Sequence, residues 1–306
     1  MKRSYRFLGV AGALPALMFL AAGSILAQQS ATPSAGLPVK WEELTAPNFI
    51  KAVELSGGTC IIPLGVVEKH GPHLPLGTDL MDVRATVLRA AQKEYTIIFP
   101  EYYFSQIFEA KHQPGTIAYG DRLLWDMLQA TCDEISRNGI RKIILVSGHG
   151  GNNSFLPYFC QAQLASRKDY AVYLYRPPSD PAFEAEITRM RKSKMEQHAG
   201  EGETSMVLAV RPDLAHQEVA ASQSGEDLKR LSALKDVYTG IWWYASFPNH
   251  YAGEGKYGSR EIGEKVLSHS ADQLANVIRG VKADKTVLEL QKQFYDESAQ
   301  PLKTKQ

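Results

Sequence analysis

Short apolar runs alternate along this chain with longer stretches whose apolar positions recur every three or four residues. Thr59 to Leu64 and Ile140 to Val146 are largely apolar runs of strand length, and Thr96 to Phe99 and Ala171 to Tyr175 are shorter ones. Between them, Asp79 to Glu94 carries Leu80, Val83, Val87, Leu88 and Ala91 on one helical stripe. Asp121 is placed to cap a helix that stops at Asn138–Gly139, and Ser154 to Ser166 reads as another. A first helix is expected over Trp41 to Val53, with Thr45 as N-cap, Pro47 in its first turn and Gly57–Gly58 ending it. Later helices are expected over Phe183 to Gln197, Met206 to Val210, Ser259 to Ala283 and Lys285 to Tyr295. Strands alternating with helices predict an α/β fold, a mostly parallel sheet with helices on both faces.

Three polar clusters interrupt this pattern where a strand ends or a helix begins. Glu68 to Asp79, Glu-Lys-His-Gly-Pro-His-Leu-Pro-Leu-Gly-Thr-Asp, sets carboxylates and imidazoles between the first strand and its helix. Ser147 to Asn153 presents His149 on a glycine-rich turn after the strongest strand. His198 to Ser205 adds one histidine, Glu201 and Glu203 in a glycine-broken turn before an apolar helix. Open α/β sheets place their sites at the carboxyl ends of strands, and close-spaced O and N donors suit a divalent transition metal. The plainer reading of the first cluster is a solvated loop, which seldom needs two histidines, two prolines and a terminal Thr-Asp. A phosphate-cradling loop competes at His149, but the Walker spacing and its lysine are absent. Tyr102 to Tyr119 is a long irregular loop containing His112, which by itself is as compatible with a structural role as with a functional one. Ala220 to Asp236 reads as polar surface. Tyr238 to Gly258 is rich in aromatics and glycine and suits a pocket wall or an oligomer interface equally.

The 306 residues are 44% hydrophobic and 22% charged with a net charge of +1, which fits a globular enzyme-sized domain and leaves no basic stripe for nucleic acid. The amino end has its own pattern. Lys2, Arg3 and Arg6 precede an apolar stretch from Leu8 to Leu20 and then small residues, the three-part form of a secretory leader, with cleavage expected near Ala27. The apolar core falls short of the ~20 residues a spanning helix needs. Residues 28–38, rich in Ser, Ala, Pro and Gly, are expected to form a flexible mature amino terminus, and 39–306 a single domain. The expected location is therefore exported, periplasmic or secreted, with no membrane attachment after leader cleavage. Cys60, Cys132 and Cys160 lie in apolar surroundings without metal or redox spacing and read as free buried thiols.

The three clusters, with His112-Gln113-Pro114-Gly115-Thr116 between them, resemble the creatininase (creatinine amidohydrolase) family. They run in order over nearly the whole chain beyond the leader, and the Glu68 to Asp79 motif is the most specific. The resemblance implies a three-layer α/β/α domain, a homohexamer, and a dinuclear centre of two divalent ions (Zn, or Zn with Mn or Fe). By matching positions it implies Glu68, His70, Asp79 and His149 as metal ligands, Asp79 as the bridge between the ions, and His198 as the catalytic imidazole. Creatininase itself has a Glu two residues after the ligand His149; here that position is Gly151, and Glu203 is expected to take over as ligand. The family also includes a formamide deformylase, a peptidase and a cyclic-ketone hydrolase, so creatinine does not follow as the substrate.

Two divalent ions can activate water and polarise a carbonyl oxygen together, while a histidine outside the ligand set moves a proton to the leaving nitrogen. The expected activity is hydrolysis of a C–N bond, other than a peptide bond, in a small amide or cyclic amide, with His198 as acid and base. His73 is expected to brace its own loop, and Glu201 receives no role. A metal-dependent peptidase or ring-opening hydrolase of the same family is the alternative, and a non-catalytic metal-binding protein on this scaffold is a third reading.

Overall fold

The computed structural model of the chain describes residues 36–304. The leader over 1–27 and most of the 28–38 segment lie outside the described residues. From Leu37 onward the chain forms one compact unit.

Four parallel strands make the central sheet: β1 (Thr59–Leu64), β2 (Ile97–Ile98), β3 (Lys142–Ser147) and β4 (Ala171–Leu174), in the order β2-β1-β3-β4. Side chains alternate across a strand, and the two faces are correspondingly sorted. Cys60, Ile62, Leu64, Ile97, Ile143 and Leu145 pack on one side with Ala52 of α1 (Ala46–Leu55), Leu128, Cys132 and Ile135 of α3 (Asp121–Arg137), and Leu156 and Phe159 of α4 (Asn152–Ala162). Ile61, Ile98, Ile144 and Val146 pack on the other with Val83 and Val87 of α2 (Thr78–Lys93) and Ala271, Leu274 and Ile278 of α8 (Arg260–Ala283). These are the helix, sheet and helix layers of an α/β/α fold. Pro63 is tolerated inside β1 because its missing N–H faces the side where β2 has already ended, past the Ile61–Ile98 pair.

Outside the sheet, β5 (Glu196–His198) pairs antiparallel with β6 (Ala252–Gly253), flanked by α5 (Pro181–Met190), α6 (Glu201–Val210) and the short α7 (Trp242–Ser246). The final helix is α9 (Thr286–Ser298). Among the described residues no helix is long and apolar enough to cross a membrane.

Several expected boundaries move. Trp41 to Val53 is not one helix: a single 3-10 turn covers Trp41–Glu43, Leu44 and Thr45 are extended, and α1 starts at Ala46. Pro47 favours this start, because a proline is accommodated most readily in a helix's first turn. Thr45 occupies the N-cap position but its side chain makes no capping bond. Asp121 is the first helical residue of α3, with Gly120 at the N-cap. Helix α4 begins earlier than expected, at Asn152, and ends at Ala162 in a 3-10 turn. The charged helix expected to reach Gln197 stops at Met190, and Glu196–His198 is strand. The cause is Glu201, whose carboxylate accepts from the backbone N–H groups of Lys192 and Ser193 and holds that segment extended. Helix α6 likewise starts at Glu201 rather than Met206, so Glu201 and Glu203 lie in its first turn, where the helix dipole favours negative charge.

Candidate metal centre

The chain order reverses between β1 and β3, since β2 follows on one side of β1 and β3 lies on the other. That crevice is where a doubly wound sheet can gather loops from two strand ends. Glu68, His70 and Asp79 enter it from the loop after β1 and the start of α2, and His149 from the turn after β3. The backbone N–H of Glu68 donates to the Leu76 carbonyl and that of Leu74 to the His70 carbonyl, closing the loop on itself. Gly148 lets the β3 turn lie directly on the start of α2: a Cβ there would stand 2.6 Å from the Asp79 carbonyl oxygen.

Asp79 stands between the two groups of donors. Its Oδ1 lies 2.9 Å from His70 Nε2, and its Oδ2 lies 3.2 Å from His149 Nδ1. His149 Nδ1 is also 2.8 Å from Glu68 Oε1. Glu203 Oε2, from α6, is 3.9 Å from His70 Nε2 and 3.9 Å from His198 Nδ1. Glu68, Asp79 and His149 form one set of donor atoms within 4.8 Å of one another; His70, Asp79 and Glu203 form a second; Glu68, His70 and His198 form a third. Asp79 is shared between the first two.

The polar atoms here lack ordinary partners. Glu68, His70 and Asp79 are at most 3% exposed, yet Glu68 Oε1, Asp79 Oδ2 and His149 Nε2 are buried without an aligned hydrogen bond. Orphaned carboxylate oxygens facing imidazoles are costly unless a cation fills the gap. Without one, protons take its place. Burial pushes the His149 imidazole down, but the Glu68 and Asp79 charges outweigh it and hold it well above its ordinary value. His70 is likewise opposed by burial and lifted by Asp79 to about 10. Burial raises the Glu68 carboxyl, yet the charges of His149 and His198 bring it well below the carboxylate range. The donor types, their burial and the orphaned atoms fit divalent ions.

Carbonyl acceptors fix two tautomers. His70 Nδ1–H donates to the Glu68 carbonyl at 3.2 Å, which leaves Nε2 toward Asp79 and Glu203. His198 Nε2–H donates to the Lys69 carbonyl at 2.9 Å, which leaves Nδ1 toward Glu203. Bracing of this kind is usual behind metal-site histidines.

Other candidates fall elsewhere. His73 Nε2 pairs with the Thr204 hydroxyl at 2.9 Å, and burial lowers its imidazole to about 4, so it ties the loop to α6. Glu201 is spent on the backbone N–H groups of Lys192 and Ser193. His112 Nε2–H donates to the Pro248 carbonyl and pins the long loop to the aromatic segment. The three cysteines are free thiols, two buried and one partly so.

Residues that the sequence pattern did not single out complete the surroundings. A cavity of about 380 Å³ is lined by Glu68, Asp79, His149, His198 and Glu203 together with Glu109, Trp242, Trp243 and His250. Glu109 comes from the long loop and lies 3.9 Å from His149 Nε2. His250 sits 4.5 Å from His198, ring centre to ring centre, and contacts Glu68 Oε2. Burial lowers its imidazole to about 4. By sequence the Tyr238 to Gly258 segment suits a pocket wall or an oligomer interface equally, and the structure places its Trp242, Trp243 and His250 in the cavity wall.

The family model described as "Creatininase: Creatinine amidohydrolase" matches residues 42–278. Among characterised proteins, the creatinine amidohydrolase of Pseudomonas putida is 26% identical over 255 residues, 78% of this chain and 94% of that one. The mycofactocin precursor peptide peptidase of Mycolicibacterium smegmatis is 28% identical over 160 residues, 50% of this chain and 58% of that one. Solved creatininase structures in Zn–Zn and Mn forms share the fold with a TM-score of 0.64 each. They are 22% and 23% identical, and each match covers 81% of this chain and 100% of the other.

Proposed function

The chain belongs to the creatininase family, and from that premise we propose that it is a metal-dependent amidohydrolase that cleaves a C–N bond in a small amide or cyclic amide. The observation that carries this reading is the pair of donor sets sharing Asp79, with buried carboxylate oxygens that have no aligned hydrogen bond. Glu68, Asp79 and His149 would hold one ion and His70, Asp79 and Glu203 the other, zinc being the first choice and manganese or iron possible in its place. Bound ions supply Lewis acidity and water activated near neutral pH.

The protein's own groups do the rest. His198 keeps its Nε2 proton on the Lys69 carbonyl, so Nδ1 is free to take a proton from the attacking water and pass it to the leaving nitrogen. Glu203 Oε2, 3.9 Å from that Nδ1, stabilises the imidazolium between the two transfers. Trp242 and Trp243 supply an apolar wall to the cavity. A peptidase of the same family is the second reading. It is favoured by an aromatic groove of about 940 Å³ that adjoins the cavity at Glu109 and Gly151 and exceeds what a small ring needs. The reading extends to export after leader cleavage near Ala27 and to a homo-oligomer, for which amino-terminal sequencing and native mass determination are the checks.

The test is metal-reconstituted protein screened against cyclic amides, formamides and short peptides. His198→Ala is expected to keep its metal and lose on the order of 10²–10⁴-fold in rate. Asp79→Ala is expected to lose metal altogether. Full activity in His198→Ala would refute the proton-transfer role. Metal binding with no hydrolysis of any amide, formamide or peptide would favour the non-catalytic binder.

A further inference from the structure

The aromatic segment after α6 delivers a side chain to the site that is neither among the donor sets nor the proton-transfer histidine. His250 is 2% exposed and its backbone has φ +54°, a left-handed conformation unusual for a histidine. Its backbone N–H donates to the Phe247 carbonyl at 2.9 Å, closing a turn directly after α7. On one edge of the ring, Trp243 Nε1–H donates to His250 Nδ1 at 2.8 Å. On the other edge, His250 Nε2 makes a short contact with Glu68 Oε2.

The direction of this chain is fixed by its first member. An indole N–H can only donate, so His250 Nδ1 must be the acceptor and Nε2 must carry the ring's proton. Nε2–H then has one acceptor in reach, Glu68 Oε2. The carboxylate is held through that oxygen, while Oε1, with no aligned hydrogen bond of its own, lies against His149 and Asp79. We propose that Trp243 and His250 form a hydrogen-bonded relay that positions Glu68, fixing its carboxylate plane so that Oε1 is presented to the Asp79–His149 donor set. His250 is a positioning residue, acting through Glu68. The proposal rests on the metal-centre reading for what Glu68 does, but the relay itself is a property of the metal-free chain.

The test therefore has two parts. Long-range ¹H–¹⁵N NMR on metal-free protein labelled in histidine reads the tautomer: His250 is expected protonated at Nε2 alone, and Trp243→Phe, which keeps the ring but removes the donor, is expected to give a tautomer mixture. Zinc affinity, measured against a competing chelator, is expected to fall ten- to a hundred-fold in His250→Leu. Trp243→Phe should fall less, and His250→Gln, whose amide can donate to Glu68, should recover most of the loss. A wild-type His250 protonated at Nδ1 would overturn the relay. So would a folded His250→Leu with wild-type zinc affinity, or a His250→Gln no better than His250→Leu. If His250→Leu does not fold, the tautomer spectra of wild type and Trp243→Phe decide alone. Wild-type protein that binds no zinc overturns the metal centre itself, which the tautomer measurement keeps distinct from failure of the relay.

Discussion

Gly151→Ala adds one methyl group at the mouth of the site, and the structure says where its cost falls. The backbone at Gly151 is right-handed, φ −61° and ψ −18°, so alanine meets no conformational strain. A Cβ there would stand 2.4 Å from His149 Nε2 and 2.6 Å from Glu109 Oε1, against 3.4 Å or more for ordinary contact. His149 must therefore draw back by about 1 Å, and it is the only imidazole facing both Glu68 and Asp79 from the β3 side. Misplacement on that scale costs on the order of 10²-fold in rate, roughly 2.7 kcal/mol of transition-state stabilisation. Folding stability should barely change, within about 0.5 kcal/mol, because the added methyl meets the far ends of the His149 and Glu109 side chains and no residue of the apolar core. The assay pairs kcat/KM on the best substrate from the screen with zinc stoichiometry and a thermal melt. A variant with unchanged Tm, weakened zinc binding and a large rate loss supports the geometry. Rates within twofold of wild type would refute it, because His149 would then have no fixed place to lose.

Two further predictions concern the scaffold. Lys142, on β3, is 7% exposed and donates through Nζ to the Val281, Lys282 and Asp284 carbonyls at the end of α8; Lys142→Met should cost about 2–4 kcal/mol in urea unfolding by leaving those acceptors orphaned, and a loss below about 0.5 kcal/mol would count against that capping role. Glu94 is held below its ordinary 4.5 mainly by its hydrogen bond from Lys282. A depressed carboxylate stabilises the fold above its unfolded value and stops doing so as pH falls through the folded one. The Tm difference between wild type and Glu94→Gln should therefore shrink between pH 7 and pH 3, and a constant difference would show the bond to contribute nothing.

The layers of the fold could be read from the sequence because Ile61, Ile144 and Val146 alternate with Cys60, Ile62 and Leu145, and each set has a helix stripe to meet it. Glu68, His70, Asp79, His149, His198 and Glu203 could be nominated because each lies beside a strand end or helix start within a dense polar run. Glu109 could not, and Trp243 and His250 could be placed only as far as a segment that suits a pocket wall or an oligomer interface. They reach the cavity through tertiary contacts of irregular segments, and no local period or charge pattern records which face of a long loop turns inward. The boundary errors have the same origin. The 191–195 segment is polar and helix-compatible by composition, but the buried Glu201 carboxylate offers its N–H groups better partners than a further helical turn would.

Glu68 to Asp79 does more than contribute donors, and its remaining residues explain how the other clusters are kept in register with it. The Lys69 carbonyl accepts from His198, and Lys69 Nζ reaches the Asn249 carbonyl, next to His250, and the Gln223 side chain. His73 pairs with Thr204, one residue beyond Glu203 on α6. Each cluster outside the parallel sheet is thus fastened to this loop by a residue adjacent to one that faces the cavity. That arrangement answers a problem set by the topology. His198, Glu203 and His250 belong to a two-stranded ribbon and short helices that share no strand pairing with the central sheet, so the sheet cannot align them with Asp79. The loop does so through Lys69 and His73, together with the packing of α6 against α2. A charged stem between two site residues and a histidine with a depressed imidazole are therefore alignment elements, which accounts for polar groups as deeply buried as His73 that face no ligand position.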